Sequence, residues 1–378
     1  MQYCKKCIYN QDVPNIIFNN KGICNYCLQI EELKGYYKTG TDEGKILINK
    51  IIKKIKKDGN SLKYDCVIGI SGGTDSSYLL HWAKENGLRP LAVHYDNTWN
   101  STIATQNIRK ITTGLNVDLY THVVNNKEMD DIYRAFIKAC VPAIDVPTDL
   151  ALTEIMYRAA SKYNIKYILE GHSFLAEGIS PTDYSYFDGK YIESVHKLYG
   201  SMPMITFPNM KILKFIYWVI FKRIKKIRPL WYIEYSKSDA IKILNKNYGW
   251  EYYGGHHLEN IITAFSHSYH NPRKFNIDQR NNSIAAMVRT GEMDRDEGIK
   301  IYSKSPKIDP NIISYTIDRL EFEKSEFKKI MDKENKNWYD YPSSKKTFEK
   351  LRPLFFILSK YDLVPMSFYL KYCFPINR

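Results

Sequence analysis

Seven consecutive residues, Ser71-Gly72-Gly73-Thr74-Asp75-Ser76-Ser77, place two glycines, three serines and a carboxylate between an apolar run, Asp65 to Ile70, and a helix-patterned stretch, Thr74 to Glu85. Where a parallel strand feeds a helix, the N–H groups of the turn converge on one spot. The helix dipole favours negative charge there, so phosphate is the natural ligand. Gly72 and Gly73 admit phosphate oxygens close to the backbone, while Ser71, Ser76 and Ser77 offer hydroxyl donors. Asp75 is the odd member of such a cradle. A carboxylate repels a polyphosphate unless a divalent cation stands between them, which assigns Asp75 to Mg2+, with helix capping as a role that can coexist. The run lacks the terminal Lys-Ser/Thr of a Walker A loop and the third glycine of a dinucleotide fingerprint.

A second constellation opens the chain. Cys4-Lys-Lys-Cys7 and Cys24-Asn-Tyr-Cys27 are two matched CxxC pairs with sixteen residues between them. Each turn aims two thiolates at one point, and the two together close a tetrahedron with no open position, the pattern of a structural Zn2+ site. Residues 1–35 therefore read as a zinc ribbon, against the alternative of a redox pair. The remaining thiols, Cys66, Cys140 and Cys373, are isolated and read as buried small hydrophobes.

The elements that must position these groups follow from hydrophobic patterning. Ile48, Ile51, Ile52 and Ile55 recur at helical spacing among lysines before the turn Asp58-Gly59-Asn60-Ser61. After it, apolar runs alternate with helical stretches: strands at Asp65 to Ile70, Leu91 to Tyr95, Val117 to Val124 and Tyr167 to Leu169, with a helix capped by Asp149 before the last. Alternation of this kind predicts an α/β fold with a doubly wound parallel sheet. Ligands of such sheets sit at the carboxyl ends of the strands, where Asp96 and Gly171-His172 fall. Asp96 is a nucleotide contact or a solvated turn residue, and His172 a site residue or a structural hydrogen-bonding group.

The expected division is 1–35 ribbon, 36–180 α/β core and 181–378 helical region. Lys211 to Arg228 carries seven basic and no acidic residues around an apolar centre. It reads as a core helix with a basic face, a partner surface, or a segment lying on a membrane. The apolar stretch from Leu354 to Phe374 reads as a helical extension or a partner surface. With 378 residues, 44% of them hydrophobic and 25% charged, the chain is too apolar for disorder and too interrupted by charge for a membrane bundle. No run spans a bilayer and Met1 to Cys7 is no signal peptide, so the cytoplasm is the default compartment. The net charge of +14 favours anionic partners without choosing among them, and no nucleic acid is expected.

The Ser71–Ser77 run resembles the SGGxDS loop of the PP-loop ATP pyrophosphatase superfamily, which cleaves ATP between the α and β phosphates and transfers AMP to a substrate oxygen. Within it, the chain from Cys4 to about Tyr302 resembles the bacterial N-acetyl sugar amidotransferases of surface glycan biosynthesis. The matching stretches are Val195-His196-Lys197, Thr206-Phe207-Pro208, Gly249-Trp250, Tyr253 to Glu259, Pro272 to Asp278 and Gly291-Glu292-Met293. The resemblance implies that an N-acetyl sugar, nucleotide-linked, is adenylated on its acetamido oxygen and that ammonia displaces AMP to leave an acetamidino sugar. It further implies a separate glutaminase and a synthase-like subunit that conducts ammonia.

Thr74 stands where many relatives carry lysine, which makes Arg273, Lys274 or Arg280 the candidates to hold pyrophosphate. Trp99 is a candidate to stack on adenine, and His256 and Glu259 to contact the sugar or guide ammonia. Each has a plain alternative, as core aromatic or solvated charge. A tRNA thiolase is the runner-up, although no second CxxC follows the loop. A non-catalytic nucleotide-binding scaffold is the third reading.

Overall fold

The computed structural model describes residues 2–179, 185–255, 258–361 and 363–375. Its N-terminal ribbon is held by two antiparallel bridges, Tyr3 to Asn10 and Phe18 to Cys24. Cys24 then caps α1 (Asn25–Tyr37), its sulfur accepting the Cys27 amide at 3.4 Å. Thr41 caps α2 (Asp42–Gly59), which buries Ile48, Ile52 and Ile55 and turns its lysines to water, as their spacing requires.

A βα alternation follows: β1 (Cys66–Gly69), α3 (Thr74–Glu85), β2 (Pro90–Asp96), α4 (Thr102–Gly114), β3 (Leu119–Val123), α5 (Asn126–Lys138), α6 (Val146–Lys162), β4 (Tyr167–Leu169) and α7 (Phe174–Glu177). After α8 (Gly189–Tyr199) and α9 (Ile212–Ile216) comes a fifth strand, β5 (Lys225–Ile227). All pairings are parallel, in the order β3-β2-β1-β4-β5. Successive side chains of β1 point to opposite faces. Val67 joins the core shared with α5, α6 and α8, while Cys66 and Ile68 join the one shared with α2, α3 and α4. The chain winds outward from β1 through β2 to β3 and then crosses to β4 on the other side. The gap between the carboxyl ends of β1 and β4 is thus the topological switch point.

Three local expectations are corrected. The basic segment 211–228 is not one helix: α9 passes into a π turn, Tyr217–Phe221, and the chain then extends as β5. The sheet therefore takes its fifth strand from beyond residue 180, where helix alone was expected. The α6 cap is Asp145 rather than Asp149, because Pro147 sits within the first turn, where its missing N–H costs nothing.

The rest of the chain is helical: α10 (Lys237–Tyr248), α11 (Ile261–Phe265) running into a π-helical stretch (Ser266–Phe275), α12 (Arg280–Thr290), α13 (Arg295–Tyr302), α14 (Pro310–Arg319), α15 (Lys324–Asp332), α16 (Lys345–Lys350), α17 (Arg352–Lys360) and α18 (Met366–Tyr372). Two of the matched stretches are tied to α5 by buried carboxylates. Asp131 meets His196 Nε2 at 2.9 Å, and Glu128 accepts the amides of Thr206 and Phe207 at 2.9 and 3.1 Å. Their role here is to anchor the chain between α8 and α9 to the core. The ribbon packs through Ile8 and Tyr9 on Ile284 and Ala285 of α12, so it shares a core with the helical region that follows the sheet. No helix among the described residues is long and apolar enough to cross a membrane.

Candidate nucleotide site and cysteine centre

The loop between β1 and α3 needs both its glycines. Gly72 has φ +82°, and a Cβ there would lie 2.3 Å from the Ala104 carbonyl oxygen, so no larger residue fits. Its own carbonyl accepts from the Trp250 indole at 3.2 Å, which fixes the turn from below. A Cβ on Gly73 would meet Glu259 Oε1 at 2.8 Å and the Tyr253 hydroxyl at 3.2 Å. Gly171, after β4, abuts Asp75, where a Cβ would sit 3.0 Å from the backbone oxygen. The loop and the β4 terminus thus meet at the switch point, both at carboxyl ends of strands as expected.

Two side chains from elsewhere in the chain stand against the cradle. The Tyr253 hydroxyl accepts the Thr74 amide at 3.3 Å, and Ser71 Oγ donates to Glu259 Oε1 at 3.3 Å. Ser71 Oγ also accepts the Gly73 amide at 3.2 Å and lies 3.3 Å from Ser76 Oγ. Oxygen atoms of Tyr253 and Glu259 thereby hold donors that phosphate oxygens would otherwise use. Thr74 and Ser77 are fully buried and neither hydroxyl has a partner among the described residues. The accessible hydroxyls of the loop are those of Ser71 and Ser76.

Asp75 faces two groups that sequence reading missed. The Tyr235 hydroxyl donates to Oδ1, and Lys237 Nζ lies 3.2 Å from Oδ2. Burial alone would lower the Lys237 pKa, but the charges of Asp75 and Glu177 prevail and hold it above the ordinary lysine value. Burial, reinforced by the Asp75 carboxylate, pushes the Tyr235 phenol up, so it stays protonated as a donor. The only sequence signal for this pair was Ser236, which caps α10 by accepting the Asp239 amide at 3.3 Å and so sets Lys237 at the first helical position.

Lys274 and Arg280 lie elsewhere. Lys274 Nζ is buried and donates to the carbonyls of Ile330, Met331 and Lys333, at 2.9, 3.2 and 2.8 Å, at the end of α15. Arg280 pairs with Asp278 at 2.6 Å. Cationic charge at the loop comes from Lys237 instead. Trp99 is fully buried, donates to Asp130 at 2.7 Å and carries the Arg319 guanidinium 4.0 Å over its ring, which makes it a core aromatic. Asp96 accepts the Thr98 amide at 2.8 Å within its own turn. His172 accepts at Nδ1 from the Trp231 indole at 3.3 Å and lies 3.8 Å from Glu177, beside the site. His256 lies outside the described residues.

Behind His172 a partly buried ion-pair cluster ties β4 to β5. Glu170 meets Lys226 at 2.6 Å and Arg228 at 3.0 Å. Burial alone would raise its pKa, but the two cations override this and hold the carboxyl down at about 2.

At the other centre, the sulfurs of Cys4 and Cys27, and of Cys7 and Cys24, are 3.9 Å apart, and all four lie within 4.8 Å of one another. All four residues are wholly buried, and none is in a disulfide. Amides of Lys6, Tyr9, Cys24 and Cys27 point at the sulfurs. Four buried thiolates cannot share this space without a cation among them, so the donor set suits zinc or an iron–sulfur centre.

Comparison with known proteins gives a regional kinship. A search of the curated proteins finds no match. Among solved structures, the NMN synthetase of Francisella tularensis is 14% identical, over 74% of this chain and 93% of that one, at a TM-score of 0.32. The U34-tRNA thiolase NcsA of Methanococcus maripaludis, with its [4Fe-4S] cluster, is 14% identical over 85% of this chain and 88% of its own, at a TM-score of 0.32. The NH3-dependent NAD synthetase of Campylobacter jejuni is 14% identical over 70% and 99%, at a TM-score of 0.33. Likenesses this distant decide nothing about chemistry. The segment 259–352, about a quarter of the chain and beginning at the carboxylate that meets Ser71, matches the family described as LPS biosynthesis protein WbpG-like, C-terminal domain.

Proposed function

We propose that this protein is an ATP-dependent amidotransferase of surface glycan biosynthesis, which adenylates the acetamido oxygen of an N-acetyl sugar and replaces AMP with ammonia. The observation that carries this reading is the glycine loop at the switch point, with Asp75 and Lys237 facing each other beside it. The match of 259–352 to an LPS biosynthesis family supplies the glycan context.

In this reading ATP displaces the oxygens of Tyr253 and Glu259 from the loop, and the freed Thr74 amide and Ser71 hydroxyl bind phosphate. The acetamido oxygen attacks the α phosphorus and pyrophosphate leaves. Lys237, held charged by its carboxylate neighbours, stabilises the departing pyrophosphate in place of a loop lysine. Ammonia then adds to the activated carbon, and AMP departs with the former acetamido oxygen. Asp75 and Glu259 are the hard oxygen donors that would hold Mg2+, which would supply positive charge against the phosphates. Free ammonia is scarce near neutral pH, which calls for a glutaminase and an ammonia-conducting subunit.

The cysteine centre in this reading holds zinc. A tetrahedral ion with bonds of about 2.3 Å sets its sulfurs about 3.8 Å apart. The 3.9 Å spacings fit that better than the wider spread a cubic cluster needs. Its role is structural, because four protein ligands leave no open position.

The test is pyrophosphate and AMP release from ATP, Mg2+ and ammonium, scanned over free and nucleotide-linked N-acetyl sugars. Release that depends on one sugar supports the proposal. Release that depends instead on unmodified tRNA and a sulfur donor replaces it with the thiolase.

A further inference from the structure

The segment 211–228 is apolar on two sides, and only one side is covered. Trp218 and Val219 are buried in the main core, and Phe215 packs on Phe368 with ring centroids 5.2 Å apart. On the other side Leu213, Tyr217 and Phe221 are 78%, 46% and 74% exposed. They stand four residues apart. In a pure α-helix, with 3.6 residues per turn, such steps drift around the axis. Here α9 passes at Tyr217 into a π turn, whose longer hydrogen-bonded loop winds more slowly and offsets that drift, so the three keep to one ridge. Tyr361, 70% exposed, adjoins the same region, because Lys225 Nζ donates to its carbonyl at 3.0 Å.

The charges of the segment divide into used and unused. Lys211 and Lys214 pair with Glu193 and Glu154, each at 3.0 Å, and Lys226 and Arg228 are held by Glu170. Lys222 and Arg223, both exposed at the end of the ridge, have no ion pair among the described residues, nor does Lys360 next to Tyr361. A ridge of large apolar side chains with unpaired cations beside it, on a segment without an acidic residue, has the chemistry of an interfacial element. Its apolar side chains reach below the headgroups and its cations meet anionic lipid.

We propose that the Leu213-Tyr217-Phe221 ridge, with Lys222, Arg223 and Lys360 beside it, docks this protein on an anionic lipid surface. The docking is peripheral and reversible, since the ridge is short and no helix among the described residues is long and apolar enough to cross a membrane. It is independent of the reaction proposed above.

The full chain is sedimented with vesicles of phosphatidylcholine alone and with about 30% phosphatidylglycerol, at low and high salt. Binding to the anionic vesicles, weakened by salt, is expected. Two exposed-site double variants, Leu213→Glu with Phe221→Glu and Lys222→Gln with Arg223→Gln, should each weaken it about tenfold while keeping the wild-type melting temperature. Absence of binding to either vesicle overturns the proposal. So does binding that neither variant diminishes. A chain that ignores vesicles but forms dimers, which the Leu213→Glu and Phe221→Glu variant dissolves, overturns it in favour of a second copy on the ridge.

Discussion

At the ribbon four thiols converge on one another and each is wholly buried, whereas the loop after β1 is half open and its donors are met by side chains from distant segments. The first arrangement completes itself: every ligand is protein, so an ion there has nothing to exchange. In the second, Tyr253 and Glu259 occupy donors that a phosphate can take back, and Lys237 neutralises a carboxylate that a cation can share. On the proposed reading, burial with identical donors suits a structural site, and partial exposure with replaceable partners suits a reactive one.

The sharpest way to break that contrast is at the ribbon. Cys24→Ser should abolish bound metal and lower the melting temperature steeply, since a structural ion of this kind contributes on the order of 10 kcal/mol to the fold it organises. Because Ile8 and Tyr9 pack on α12, the loss should reach the C-terminal helices, which hydrogen exchange would register. Retention of metal in the variant would mean the site is not closed.

Asp75→Asn should do the converse. AMP formation should fall on the order of 100-fold or more, equivalent to about 3 kcal/mol of barrier, with melting lowered far less than by the cysteine substitution. An active variant would remove Asp75 from the chemistry.

Glu170 tests whether the scaffold behind the loop is separable from it. Glu170→Gln leaves Lys226 and Arg228 without their counter-charge and should cost about 3 kcal/mol in denaturant unfolding. The pH dependence has a definite sign. The folded carboxyl titrates near 2 against 4.5 ordinarily, so its stabilisation is present above about pH 4.5 and is lost as the pH falls towards 2. The wild type should weaken across that window more steeply than the variant.

The smallest effect is at Glu259. Without Mg2+, Glu259→Gln should bind ATP roughly fivefold more tightly by calorimetry, because a like charge worth about 1 kcal/mol leaves the cradle. Weaker binding would mean that the carboxylate assists the nucleotide rather than standing in its place.

Much of this was legible because it is contiguous. The loop from Ser71 to Ser77 and the two CxxC pairs carry their geometry in their own spacing, and the alternation of strand and helix pointed to the carboxyl ends of a parallel sheet, while the strand order that makes the switch point comes from the structure. What was not legible depends on long-range contacts. Tyr235 and Lys237 reach Asp75 across about 160 residues, and the local pattern, the Ser236 cap, marks only a helix start and not their partner. Lys274 and Trp99 had the right chemical type but the wrong surroundings: one caps carbonyls at the end of α15, the other lies under Arg319. β5 was hidden because it is three residues long with two lysines of low strand propensity, and its pairing with β4 is supported by the ion pair of Lys226 with Glu170 and by Ile227 alone on the apolar side.

The most direct test of the central claim follows one atom. With isotopically labelled oxygen in the acetamido group of the accepted sugar, turnover with ATP and ammonium should place the label in AMP and leave an acetamidino product without it. Label that stays in the sugar, or ADP in place of AMP, would contradict adenylation of the acetamido oxygen.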